Sequence, residues 1–79
     1  MHIDITRKGQ KLLALCEAEG FGTIAELVEA NILDSVAPGI CCTEGCAYTC
    51  DVEPDQDSGF CEACGGQTVV SALRLAGLI

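Results

Sequence analysis

The sequence predicts a small α+β domain stapled by a metal, and three observations lead to that class. The chain has 79 residues, five of its seven cysteines fall in two short clusters, and its two halves differ sharply in composition. A chain this short buries little core and commonly needs a disulfide, a metal or a partner to stay folded. Hydrophobic residues make up 49% of it, yet only three are aromatic, so a core of Leu, Ile, Val and Ala is left in need of a staple. The expected organisation is one domain: a helical hairpin over 1–39, cysteine knuckles with an acidic loop over 40–66, and a short C-terminal helix over 67–79.

The first half carries the helical period. From Thr6 to Glu19, the residues Leu12, Leu13, Leu15 and Cys16 fall near one face, with Arg7, Lys8, Lys11 and Glu17 mostly elsewhere. Gly20-Phe21-Gly22 breaks the helix, Gly20 being suited to a left-handed cap. Thr23-Ile24-Ala25-Glu26 reads as a capping box, the Thr hydroxyl accepting an orphan amide and Glu26 reaching back. The second helix turns Ile24, Leu27, Val28 and Ile32 toward the first and ends by Pro38-Gly39. Two helices on a short turn invite a helix-turn-helix reading. The second one, however, carries Glu26, Glu29 and Asp34 with no Lys or Arg, which disfavours contact with DNA. At the other end, Thr68 to Ala76 is expected as a helix with Thr68 as N-cap and Gly77 as its stop. Val69, Val70, Leu73 and Ala76 would pack on the hairpin, and the apolar tail Leu78-Ile79 would dock.

The cysteines decide the rest. The opening residues lack a basic stretch followed by an apolar run, so no signal peptide is expected and the chain should reside in the cytoplasm. Thiols there stay reduced, and an odd cysteine count cannot pair completely. Cys61-Glu62-Ala63-Cys64-Gly65 is a tight turn in which two intervening residues let both sulfurs converge on one ion. The first pair is ambiguous, since Cys41, Cys42 and Cys50 can each partner Cys46. Ile40-Cys41 parallels Phe60-Cys61, each cysteine following an apolar residue. That parallel favours the set Cys41, Cys46, Cys61 and Cys64, with Cys42 as the substitute for Cys41 and Cys50 on the strand leaving the first knuckle.

About fourteen residues separate the knuckles, a spacing that points to structural zinc, although an iron–sulfur cluster can use the same thiolates. Metal-free buried thiols are the plainer alternative. A thioredoxin-like redox pair lacks its βαβ context. A catalytic zinc keeps an open position and usually a His or carboxylate ligand, whereas the one histidine here, His2, sits at the terminus and is expected to bind nothing. No nucleophile–His–acid set can be assembled around it, so no enzymatic activity is expected.

Twelve acidic residues face four basic ones, for a formal net charge of -8. Such a chain repels phosphate and membranes and attracts basic proteins. No apolar run reaches the ~20 residues that cross a bilayer. Between Cys42 and Gln67 there is no basic residue at all. Asp51, Glu53, Asp55, Asp57 and Glu62 are therefore the candidate partner-binding residues. An EF-hand reading of this loop fails on its missing closing carboxylate and on Pro54.

Gly39-Ile40-Cys41, Gly45-Cys46, Val52-Glu53-Pro54-Asp55 and Cys61-Glu62-Ala63-Cys64-Gly65 together resemble small zinc-ribbon-like proteins of bacteria and their mobile elements. The likeness covers residues 40–79 and implies a metal-stapled cytosolic fold without implying an activity. The doubled Cys41-Cys42 and the extra Cys50 depart from that pattern. By overall profile the chain is also similar to small acidic phage proteins that inhibit host defence, anti-CRISPR proteins among them. That similarity implies a non-enzymatic nucleic-acid mimic, acting in the host cytoplasm as a monomer or weak dimer, which occupies a basic nucleic-acid channel. The alternative is a zinc-ribbon adaptor that assists transcription or another assembly through the apolar tail Leu75 to Ile79.

Overall fold

Two helices lead into a four-stranded antiparallel sheet, and a third, one-turn helix closes the chain. In the computed structural model, which describes residues 5–32 and 35–78, the elements follow in a simple order. They are α1 (Ile5–Glu19), α2 (Ile24–Asn31), β1 (Ala37–Cys41), β2 (Thr49–Val52), β3 (Gly59–Phe60), β4 (Gln67–Ser71) and α3 (Ala72–Leu75). The expectations for His2, Asp34 and Ile79 lie outside the described residues. The sheet runs β2-β1-β4-β3, so β1 and β4 are its centre and both knuckles hang from its edges.

The helical hairpin follows its sequence signals closely. Gly20 caps α1, with the Phe21 amide reaching back to the Cys16 carbonyl at 2.9 Å, the hydrogen bond of a Schellman stop. Thr23 caps α2 by accepting from the Glu26 amide at 3.1 Å. The Glu26 carboxylate answers the Thr23 hydroxyl at 3.4 Å. Leu12, Leu15, Cys16 and Leu27 are buried. Leu13 and Ile32 are not: both are more than half exposed. The buried stripe of α1 is Lys11, Leu12, Leu15 and Cys16, and Leu13 lies outside it.

The second half departs from expectation at both ends. The second helix stops at Asn31, and Pro38-Gly39 lies inside β1 rather than in a boundary loop. A proline in a central strand is unusual because it has no amide for the ladder. Here the Cys41 amide donates to Tyr48 on the β2 side and the Cys42 amide to Thr68 on the β4 side. By alternation, position 38 faces β4. That ladder has already ended, since Gly39 pairs with Ser71, the last residue of β4. The missing amide therefore costs no ladder bond.

Thr68-Val69-Val70 is a strand, and only Ala72–Leu75 is helical. Three β-branched residues in a row favour the pleated surface over a helix. The N-cap is thus Ser71, which accepts from the Arg74 amide at 3.2 Å, while Thr68 caps nothing. The expected stop at Gly77 holds, with the Leu78 amide on the Leu73 carbonyl at 3.0 Å.

Strand alternation divides the interior into two clusters. Ile40, Cys42 and Val70 pack with α1, α2, Ala72 and Leu75. On the opposite face, Cys41, Cys61 and Val69 form a smaller cluster joined by Tyr48, Cys50 and Val52. Val69 therefore packs away from the hairpin, contrary to its expected place on it. Gly39 lies beneath this second cluster. A Cβ there would stand 2.8 Å from Val52 and 3.0 Å from Val69, with the Val70 carbonyl at 3.2 Å. Gly39→Ala should accordingly destabilise the fold by about 1–3 kcal/mol through overpacking, read as a lowered urea midpoint. An unchanged midpoint would show that Val52 and Val69 yield freely.

Candidate metal centre

The two knuckles meet where β1 and β4 hold their ends together. The first turn carries Cys46 back toward Cys41, its amide donating to the Thr43 carbonyl at 3.1 Å. In the second, the Gly65 amide donates to the Cys61 carbonyl and the Cys61 amide to the Gly66 carbonyl, both at 2.8 Å. Gly45 and Gly65 have φ near +83° and +76°, the left-handed region that other residues enter at a cost. Each knuckle thus folds tightly enough to turn two sulfurs the same way.

Cys41, Cys46, Cys61 and Cys64 bring their Sγ atoms within 4.8 Å of one another. Cys41 lies 3.6 Å from Cys64, and Cys46 lies 3.7 Å from Cys61. Those separations far exceed a disulfide bond of about 2.0 Å. They match the ~3.8 Å edge of a tetrahedron whose sulfurs stand about 2.3 Å from a central ion, the zinc–thiolate distance. The four residues can hold a metal ion, and they are the four the knuckle parallel favours.

Alternation within β1 separates Cys41 from its neighbour. Cys41 faces the cage, whereas Cys42 faces the helices and is 1% exposed within their core. The substitute ligand is thereby excluded from this arrangement. Cys50 packs beside the cage cluster from β2 but stands outside the converging set of four.

Hydroxyls and amides surround the sulfurs. Thr68 Oγ1 lies 3.0 Å from Cys41 Sγ and 3.7 Å from Cys64 Sγ, and Thr43 Oγ1 lies 3.8 Å from Cys64 Sγ. The Cys64 amide donates to Cys61 Sγ at 3.4 Å. Burial opposes ionisation of Cys41, but hydrogen bonds from Thr43 and Thr68 outweigh it and bring the thiol down to about 6. Contacts with Cys61 and Thr68 also lower Cys64. Cys61 moves the other way, pushed up to about 12 chiefly by burial. Burial likewise raises Cys42, against the pull of Lys11.

Thr43, Thr68 and Lys11 are the site residues that sequence reasoning missed. Lys11 is 9% exposed, and its Nζ donates to the carbonyls of Thr43, at 2.9 Å, and of Cys46. The available signal was its helical spacing: position 11 is one turn from Leu15 and shares its stripe. The candidate partner-binding carboxylates divide. Asp51, Glu53, Asp55 and Glu62 are exposed. Asp57 is half-buried and pairs with Arg74 at 3.0 Å, which makes it part of the fold's own fastening. Glu62 accepts from the Tyr48 hydroxyl at 3.2 Å, and burial together with that bond pushes Tyr48 up to about 12.

Native mass spectrometry should find one metal ion per chain. Cys61→Ser or Cys64→Ser should abolish its binding, while Cys50→Ser should retain it. A wild-type chain fully folded without metal would reduce the cysteines to core residues. Among the described residues, no helix is long and apolar enough to cross a membrane. Compared with known protein families, with curated proteins and with solved structures, the chain matches none.

Proposed function

We propose that the chain is a non-enzymatic, zinc-stapled interaction protein whose acidic lobe occupies a basic, nucleic-acid-handling surface of another protein. The observation that carries this reading is the exposure of Asp51, Glu53, Asp55 and Glu62 on a lobe without a basic residue of its own. Zinc is the ion of choice because four thiolates in a closed tetrahedron suit it and leave no open position for catalysis. The small cage supports a single ion over a polynuclear iron–sulfur core, which brings bridging sulfides of its own.

The loop that presents the carboxylates is fastened at several points. Ser71 hydroxyl donates to the Pro54 carbonyl, the Ser71 amide to the Gln56 carbonyl at 2.9 Å, and Arg74 holds Asp57. Carboxylates fixed in this way meet a complementary partner with less ordering cost than a mobile acidic tail. A basic channel that normally holds nucleic acid, such as that of a CRISPR effector in host defence, has the complementary charge. Acting there, the protein is an inhibitor.

The adaptor reading draws support from a different observation, the exposure of Phe60 and Leu78, each more than half accessible. Its proposed contact narrows accordingly, because Leu75 lies in the core. Salt separates the two readings, since exposed charge pairs weaken as the Debye length shortens.

Asp51→Lys, Glu53→Lys and Asp55→Lys combined should abolish capture of a basic nucleic-acid-binding complex from host lysate, with the fold intact by circular dichroism. Wild-type capture should fall steeply with salt and with added DNA. Capture that survives both the substitutions and the salt would overturn the mimicry and favour the adaptor.

A further inference from the structure

Lys11 combines burial, charge and position in a way that the staple alone does not require. Its ammonium sits part-buried between α1 and the first knuckle, where it donates to two neutral carbonyls, those of Thr43 and Cys46. Buried ammonium groups are costly unless an opposite charge stands near. The knuckle's own carboxylate, Glu44, does not supply it: that side chain is exposed and pairs outward with Arg7 at 3.4 Å. The thiol on which Lys11 acts directly is Cys42, on the helix face of β1; its link to the cage runs through the turn from Cys41 to Cys46, which carries both carbonyls.

A cage of four thiolates around a divalent ion carries a net charge of about -2. Resting on the metal-centre reading, we infer that Lys11 is the positioning residue that couples metal loading to docking of the helical hairpin. Its charge offsets that of the loaded cage, and its stem pins α1 to the knuckle. The coupling runs both ways, as any linkage between two binding events must. The loaded cage holds α1 down, and a docked α1 tightens the cage on its ion.

Lys11→Met keeps the buried apolar stem and removes the charge; Lys11→Arg keeps the charge. In competition against a zinc chelator, Lys11→Met should bind zinc roughly 10- to 100-fold more weakly, the range for outer-shell partners of metal ligands. Cobalt(II) added in place of zinc should still give a four-thiolate spectrum, showing the ligands unchanged. Lys11→Arg should restore most of the affinity. Wild-type zinc affinity in Lys11→Met, or an equal loss in Lys11→Arg, would overturn the role of charge.

Hydrogen exchange on the wild-type chain gives the answer even where a variant fails to fold. Chelation should release protection in α1 together with the first knuckle. Protection of α1 that persists after the knuckle opens would overturn the coupling and leave the metal centre standing. A wild-type chain that takes up no zinc at all would overturn both.

Discussion

Four sulfurs within 4.8 Å of one another can be ionised together only around a cation, because thiolates this close repel strongly. Burial chiefly pushes Cys61 up to about 12, whereas at Cys41 hydrogen bonds from Thr43 and Thr68 outweigh burial and bring the thiol down to about 6. A metal ion removes the conflict. The lobe around it has few other resources, with strands of two to five residues and a cluster centred on Cys41, Cys61 and Val69.

Charge is distributed in space differently from its distribution along the chain. The stretch from Thr43 to Gly66 contains no basic residue, yet three of the four basic side chains reach into it from other elements. Arg7 pairs with Glu44, Lys11 caps the carbonyls of the first knuckle, and Arg74 holds Asp57. The cations fasten the lobe to the helices at Glu44 and Asp57 and leave Asp51, Glu53 and Asp55 facing outward. Of these, Glu53 and Asp55 flank Pro54, whose carbonyl accepts from Ser71.

Much of the local structure was legible because short-range chemistry determines it. The Gly20 cap, the Thr23 cap and the Gly77 stop depend on neighbours three to five residues away. The cage quartet followed from the parallel between its two turns. The rest depended on pairing partners far along the chain. Thr68-Val69-Val70 becomes a strand because β1 and β3 flank it, a placement that apolar spacing in a short run cannot distinguish from a helix turn. The sequence sets Lys11 off the apolar face by its charge, and its acceptors lie more than thirty residues away at Thr43 and Cys46. Asp57 resembles its acidic neighbours in sequence, and only the fold brings Arg74 beside it.

The adjacent pair Cys41-Cys42 poses a register problem that the fold must solve. A slip of one residue along β1 exchanges the two faces, offering Cys42 to the cage and sending Cys41 toward the helices. The metal does not distinguish one thiolate from another and would accept either. The same slip would carry Ile40, 1% exposed in the helical core, to the opposite face. That loses burial worth roughly 1.5–3 kcal/mol and drives a bulky side chain toward the space that Gly39 leaves for Val52 and Val69. Which of the two adjacent cysteines faces the cage is therefore set by the apolar residues on either side of the strand, which fix its phase.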